Sequence, residues 1–439
     1  MTQTAHRAVY APPAGPGQKQ ALPFTALWVG PFILMAVTLP ALETWNYVVK
    51  GMGVFLVAAY LAYSIRARLW PNTEMVLYIS WVTWALTGAF VSVSGYLFWS
   101  QWATIFQIWV LLVIISGLTF AQRLLSFNLA WFLAAALLMG GYSLISGDYQ
   151  RVGAGGEIER VAGLAMNANQ FGWILLLATV AMAYFWMLPT KARAMKYGVL
   201  SIGMVAAALA TVLSGSRKAL IGFAVFYACW VWFCYRREAL RKPIVMAVVL
   251  APLALGALAM VQFAREMPVG QRFQETWEVA TGKRVAVGGT KARLDFYRIA
   301  WRLFVKNPIA GVGMDNFRVY TGGAVAHSEY AEIAADTGLV GCALYFSIFI
   351  VLWRRCGKIA KYHSDTVAVR VAGLTRALLV AVFILNFGRY NYKDKPTWIV
   401  LASLIGYTSV VWQNWRDAQA AVGPAAPAVG SPPMSVRAT

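Results

Sequence analysis

The sequence predicts an all-α protein that crosses a membrane many times and carries a long extracytoplasmic loop containing short helices. Of its 439 residues, 60% are hydrophobic and 13% are charged, a balance that excludes an ordinary soluble domain. Apolar runs of about 20 residues, long enough to cross a bilayer, recur along the chain. Twelve spans are predicted, at residues 24–41, 47–65, 75–94, 102–120, 127–145, 168–188, 197–213, 219–236, 244–263, 338–353, 371–388 and 397–413.

Lysine and arginine in the connecting loops orient these spans, because positive residues near span ends stay in the cytoplasm. The loops on one predicted side are basic, whereas residues 42–46 and 95–101 on the other side contain no lysine or arginine. Both chain termini are therefore predicted to be cytoplasmic. Four stretches on the predicted outer side are nevertheless basic, at residues 146–167, 214–218, 264–337 and 389–396.

Three parts of the chain are expected. Residues 1–22 are a flexible cytoplasmic tail, and residues 23–415 form a transmembrane domain whose large loop covers about 264–337. Residues 416–439, rich in Ala, Pro, Gly and Ser, are expected to be a disordered cytoplasmic tail. The first span has no convincing cleavage site, so a retained anchor is predicted.

The large loop has its own predicted structure. Residues 291–306 form an amphipathic pattern whose Leu294, Ile299 and Phe304 could face the membrane. Asn307-Pro308 should end that helix, and Gly311-Val312-Gly313 predicts a turn. This lone Gly-x-Gly is weak evidence for phosphate binding, and without a P-loop pattern no nucleotide is expected.

His327 is the only histidine on the predicted outer side, since His6 and His363 fall in cytoplasmic segments. It precedes Ser328 at the start of a short helical pattern, where the helix dipole disfavours a protonated ring. A neutral imidazole can serve as a general base. The alternative is a surface histidine that caps the helix.

A second candidate is the short outer turn Ser214-Gly215-Ser216-Arg217-Lys218. Ser216 is a candidate N-cap, so Arg217 and Lys218 fall in the first helical turn, where the dipole disfavours cations. Free backbone N–H groups beside two cations suit an anion. Alternatively, both side chains extend to lipid headgroups, as is common at span ends.

Roughly residues 150–345 resemble the O-antigen ligase and polymerase superfamily. The run from Asn307 to Phe317, followed by His327-Ser328 and by residues 338–341, is similar to the family's signature. Arg293 stands where the family has an arginine ahead of the Asn-Pro turn. Arg160, Gly163 and Asn169 resemble the first outer-loop motif, with Ala168 where the family has proline.

The resemblance implies transfer of a glycan from undecaprenyl pyrophosphate to an acceptor hydroxyl at the periplasmic face of the bacterial inner membrane, without a cofactor or metal. It implies His327 as base, with Arg217 and Arg293 as catalytic cations that hold the pyrophosphate. The secondary substrate contacts would be Arg151, Arg160, Lys218 and Asn169. The expected partners are the lipid-linked glycan donor, the lipid A-core acceptor and membrane lipids, but no nucleic acid.

Alternatives remain at this stage. A polymerase would use another lipid-linked repeat unit as acceptor, but the cationic outer surface of a chain with net charge +21 favours phosphorylated lipid A-core, and hence a ligase. A transporter or flippase would place ionisable residues or broken helices near the bilayer midplane. If His327 is not the base, the remaining candidates are Glu329, Asp315 and Asp394.

Overall fold

The protein is a bundle of long α-helices, which confirms the predicted fold class. A computed structural model describes residues 24–39, 46–67, 71–146, 149–152, 158–161, 164, 167–191, 193–241, 278, 281 and 288–422. The helices are α1 (Phe24–Thr38), α2 (Asn46–Ala67), α3 (Thr73–Ala85), α4 (Gly95–Leu118), α5 (Gln122–Ser146), α6 (Ala168–Met187), α7 (Arg193–Leu213), α8 (Arg217–Arg241), α9 (Gly288–Lys306), α10 (Glu329–Tyr362), α11 (Thr366–Leu385) and α12 (Lys395–Val422). Short 3-10 helices cover Leu86–Phe90 and Asn316–Thr321, and strands β1 (Tyr149–Val152) and β2 (Ile158–Val161) form an antiparallel ribbon.

Eight helices of the described chain are long and apolar enough to cross a membrane: α2, α4, α5, α6, α7, α8, α10 and α11. The predicted spans 24–41, 75–94 and 397–413 coincide with α1, α3 and α12, which fall outside that set. The predicted span 244–263 lies outside the described residues, so the number twelve stays a prediction. Helix α12 continues to Val422, past residue 416 where the predicted tail begins.

The core of the bundle is built around helices that are buried on nearly every side. Every residue of α6 from Phe171 to Tyr184 is buried, and so are 12 of the 20 residues of α11. This explains why these sequences are apolar all round rather than along one stripe. Large aromatic rings fill the centre, where Tyr78 meets Trp398 edge to face with ring centroids 4.8 Å apart.

An ion pair is buried at the predicted cytoplasmic end of the bundle. Arg355 Nη1 on α10 lies 2.8 Å from Glu74 Oε2 on α3, and both residues are buried. Arg355 Nη2 also donates to the Ile405 carbonyl and to Thr408 on α12. Arg355 is therefore not a solvent-facing loop cation, as its basic neighbourhood suggests, but a link between three helices.

The turn after α9 packs directly on α10. The Val312 and Gly313 N–H groups donate to the carbonyls of Ala335 and Asp336, at 2.9 and 3.0 Å. Helix α10 is kinked at Gly338, whose φ of 65° is left-handed, and a Cβ there would lie 2.3 Å from the Ile309 carbonyl oxygen. The glycines of the Gly-x-Gly turn and of residues 338–341 thus permit close backbone packing, which supports a structural role for them.

Helix α9 confirms the amphipathic helix predicted over residues 291–306, and Asn307-Pro308 ends it as expected. The predicted membrane-facing side is only partly right. Leu294 is exposed, but Ile299 packs against a small cluster that includes Leu303, Val312 and Phe317. This face of α9 therefore supports the turn and the neighbouring 3-10 helix.

Candidate active site

A cavity of about 310 Å³ opens where the first turns of α6 and α8 meet His327, the residue before the N-cap of α10, and the segment between α11 and α12. It brings together three of the residues predicted from sequence, namely His327, Lys218 and Asn169. The other residues that line it are Asn167, Gln170, Trp173, Ala219, Leu385, Gly388, Arg389, Tyr390, Lys393 and Asp394. Three cations, one imidazole and the carboxylate of Asp394, one of the alternative bases, therefore face a common space.

His327 is half-buried and adopts a left-handed backbone conformation, with φ of 55°. Ser328 is the N-cap of α10, because its hydroxyl accepts a hydrogen bond from the Ala331 N–H. The alternative in which His327 caps the helix is therefore wrong. Left-handed conformations are uncommon for residues other than glycine, and such strain clusters at functional sites.

The pKa of His327 is lowered from its usual value to about 4. Burial is the largest cause, and the positive charges of Lys218 and Arg293 lower the pKa further. The direction agrees with the predicted neutral imidazole, but the predicted cause, the helix dipole, is not among these causes. An uncharged imidazole with a free electron pair can accept a proton.

The predicted outer turn at residues 214–218 adopts the expected structure. Ser214 and Ser216 are buried, and Ser216 is followed by the first residue of α8, Arg217. The Ser216 hydroxyl accepts a hydrogen bond from the Ala219 N–H, as expected of an N-cap. Lys218 lines the cavity. Arg217 does not line it, but its charge acts on Lys218.

Arg293 also lies beside the cavity rather than in its wall. It is half-buried on α9, and its charge acts on both His327 and Lys218. One turn along the helix, the Tyr297 hydroxyl donates to the Phe387 carbonyl at 2.8 Å. This bond ties α9 to the segment that contributes Gly388 and Arg389 to the wall of the cavity.

Of the remaining predicted substrate contacts, one lines the cavity and two lie in the β-ribbon. Asn169 lines the cavity in the first turn of α6, where the side chain of the preceding N-cap, Asn167, accepts the Gln170 N–H at 2.8 Å. Ala168, at the position where proline was expected, is completely buried within this turn. Arg151 and Arg160 lie in the β-ribbon, paired with Glu159 and Gln150 respectively, and their side chains lie outside the described part of the chain.

Sequence reasoning missed the contribution of Arg389, Tyr390 and Lys393. Arg389 donates to Asn391 and Asp394 at 2.7 and 2.9 Å, and its guanidinium lies 5.2 Å from the centre of a Trp173 ring. Lys393 lies 4.5 Å from the Tyr390 ring centre. The signal was present, because residues 389–396 were noted as basic on the predicted outer side. The sequence alone does not show that this stretch faces His327.

The three alternative bases are engaged in other contacts. Glu329 is completely buried and accepts hydrogen bonds from several donors, including the Tyr345 hydroxyl at 2.8 Å. Asp315 pairs with Arg318 and Lys393, and Asp394 accepts from Arg389 and from the Thr397 N–H. These contacts favour His327 as the group that is ready to accept a proton.

The comparisons with known proteins agree with the signature. The sequence pattern of the family described as O-antigen ligase matches residues 202–346, a region that contains Arg217, Lys218, Arg293 and His327. A comparison with curated protein sequences gives no significant match.

Among solved structures, the chain is similar to one described as "Structural coordination of polymerization and crosslinking by a peptidoglycan synthase complex". That likeness has a TM-score of 0.44 and 13% sequence identity, over 78% of this chain and 97% of the other. It is too distant to bear on function. The match of residues 202–346 to the O-antigen ligase family pattern supports a glycan-transferring, multi-pass membrane enzyme, and it does not distinguish ligase from polymerase.

Proposed function

We propose that the protein transfers O-antigen polysaccharide from undecaprenyl pyrophosphate to a hydroxyl of lipid A-core, completing lipopolysaccharide. The reaction would take place at the periplasmic face of the bacterial inner membrane, with both termini in the cytoplasm. Neither a nucleotide nor a metal ion is required by this proposal, because the leaving group is already activated as a pyrophosphate.

The observation that carries the proposal is the composition of the cavity. A neutral imidazole, His327, faces the same space as Lys218, Arg389 and Lys393. Group transfer from a pyrophosphate needs one group that removes a proton and fixed positive charges where negative charge develops. Both requirements are met within one cavity of about 310 Å³.

In the proposed reaction the acceptor hydroxyl oxygen attacks the anomeric carbon of the donor sugar. The bond between that carbon and the pyrophosphate oxygen breaks, and its electron pair leaves with undecaprenyl pyrophosphate. His327 takes the hydroxyl proton as the new glycosidic bond forms. The negative charge that builds on the departing pyrophosphate is stabilised by cations, which is where most of the rate gain in such sites arises.

In this proposal the cations form three groups: those that line the cavity, those beside it and those in the β-ribbon. Lys218, Arg389 and Lys393 line the cavity and would contact the pyrophosphate, with Asn169 as a neutral polar contact. Arg217 and Arg293 lie just behind this wall, close enough for their charges to act on Lys218. We propose that they reach the pyrophosphate when the donor binds. Arg151 and Arg160 are proposed as further phosphate contacts from the β-ribbon.

A reconstituted transfer reaction tests the proposal. Purified protein in lipid nanodiscs is incubated with undecaprenyl-pyrophosphate glycan and lipid A-core, in the presence of a chelator and without nucleotide. The expected products are lengthened lipopolysaccharide and an equal amount of undecaprenyl pyrophosphate. His327→Gln protein, purified in parallel, controls for a contaminating transferase.

Two other outcomes would contradict the ligase proposal. Longer lipid-linked chains formed from donor alone, with lipid A-core unchanged, would identify a polymerase of the same superfamily. Movement of intact donor between the leaflets of a proteoliposome, without a new glycosidic bond, would identify a transporter.

A further inference from the structure

Glu329 has an unusual position, because it is completely buried and lies two residues after His327. Its Oε1 atom accepts from the Tyr345 hydroxyl at 2.8 Å and from Asn386 Nδ2 at 2.7 Å. Its Oε2 atom accepts the N–H of Tyr392 at 2.9 Å and also the N–H of Asn391. Four donors therefore surround one carboxylate, as a buried negative charge requires.

These bonds connect two walls of the cavity. The Glu329 N–H also donates to the carbonyls of Asn386 and Arg389, at 2.9 and 3.0 Å. Both the main chain and the side chain of Glu329 thus hold the segment 386–392, which contains Arg389 and Tyr390. Glu329 is also the first residue of α10, and it follows His327 and Ser328, the N-cap of that helix.

We propose that Glu329 is a positioning residue, which holds the segment 386–394 so that Arg389 and Lys393 line the same cavity as His327 and Tyr390 stacks on the His327 ring. Glu329 does not touch the substrate and acts through this segment. The inference rests on the proposed function for its effect on transfer, but the placement of the segment is independent of any activity.

The donors explain why a carboxylate is needed at this position. The N–H groups of Asn391 and Tyr392 cannot accept a hydrogen bond, so an amide nitrogen in place of Oε2 would face two donors. Placed at Oε1, the amide nitrogen would face Asn386 Nδ2. The Asn386 amide cannot turn round without loss, because its Oδ1 atom accepts from Asn391 Nδ2. Glu329→Gln keeps the size of the side chain but replaces one of the two accepting oxygens with a donating nitrogen.

The test measures three properties of purified Glu329→Gln protein. Hydrogen exchange at the amides of residues 386–394 should become faster, while the helices of the bundle remain protected. The KM for donor should rise by about tenfold or more, equivalent to loss of one hydrogen bond to a charged group. The acid fall in kcat/KM should move to higher pH, because release of Tyr390, which stacks on the His327 ring, leaves that ring less buried.

A second substitution provides a rescue. In the double variant Glu329→Gln with Asn386→Asp, the amide at position 329 can donate to the carboxylate at position 386. That carboxylate can still accept from Asn391 Nδ2. Slow exchange in 386–394 and a near-normal KM for donor should return in this variant.

Glu74→Gln is the matched control for a buried carboxylate at the other end of the bundle. It should lower the melting temperature while exchange in 386–394 and the KM for donor stay unchanged. Unchanged exchange in Glu329→Gln, or faster exchange throughout the protein, would overturn the inference. If wild-type protein transfers no glycan, the proposed function fails, whereas the exchange measurements still decide the role of Glu329.

Discussion

His327 and Tyr390 stack on one another, with ring centroids 6.3 Å apart and an angle of 26° between the ring planes. The contact joins the residue before the N-cap of α10 to the segment between α11 and α12. Lys393 Nζ lies 4.5 Å from the centre of the same Tyr390 ring. One aromatic ring therefore contacts both the candidate base and a cation that lines the cavity.

Arg293 and Arg298 lie five residues apart on α9 and offer a matched pair of substitutions. Arg293→Gln should lower transfer by about a hundredfold, the usual cost of removing one group that stabilises developing charge. Arg298, whose side chain is 76% exposed and pairs with Asp295, should tolerate the same change with little loss. Initial rates at saturating donor and acceptor measure both. Equal rates for the two variants would remove Arg293 from the site.

The pH dependence of transfer should carry the signature of a depressed histidine pKa. In the free protein, His327 becomes protonated only as pH falls through about 4. Because kcat/KM reports the free enzyme, the acid fall caused by His327 should begin only below about pH 5. Bound pyrophosphate favours the imidazolium, so the fall in kcat should occur at a higher pH. Activity that rises on acidification would contradict a neutral base.

Gly338 and Gly322 separate backbone strain from steric contact. Both have a positive φ, of 65° and 64° respectively. A Cβ added at Gly338 would lie within 3 Å of Ile309, whereas a Cβ added at Gly322 would have no neighbour within 4 Å. Alanine should cost about 1–2 kcal/mol through its conformation at Gly322, where ψ is 35°, and at least as much at Gly338, where ψ is −166°. At Gly338 the clash with Ile309 should add about 1–3 kcal/mol. Thermal unfolding in detergent measures both variants. Equal melting temperatures would show that the turn does not pack tightly on α10.

The orientation of the chain can be tested with single cysteines after Cys229, Cys234, Cys342 and Cys356 are replaced. Tyr320 and Tyr362 are exposed, at opposite predicted ends of the bundle. In intact cells with a permeabilised outer membrane, an impermeant thiol reagent should label Tyr320→Cys and leave Tyr362→Cys unlabelled. The reverse pattern would invert the predicted topology and place the cavity in the cytoplasm.

Local features of the site were predictable because short stretches of sequence determine them. The amphipathic pattern of α9, the Asn307-Pro308 break and the N-cap at Ser216 all depend on neighbours within a few residues. The sequence predicted that the pKa of His327 is lowered, but it did not predict why. Its low pKa arises mainly from burial and from cations on other helices, which no local pattern contains.

The rest of the site depends on contacts between distant parts of the chain. Residues 389–396 carry a noted excess of positive charge, but bonds to distant residues such as Glu329 and Asp315 bring this segment beside His327. Arg355 likewise lies in a basic stretch, and its burial depends on Glu74, far away in sequence. Helix α3 ends at Ala85 and continues as a 3-10 helix, although its apolar pattern predicts a full span.

The rate of glycan transfer by His327→Gln protein tests the central claim most directly. Glutamine keeps a hydrogen-bonding group at this position but cannot take the acceptor proton. Transfer should therefore fall by about 10²–10⁴-fold, the usual contribution of a general base. The matched variant His363→Gln, on the loop after α10, should transfer at the wild-type rate. Near wild-type transfer by well-folded His327→Gln protein would contradict the assignment of His327 as the base.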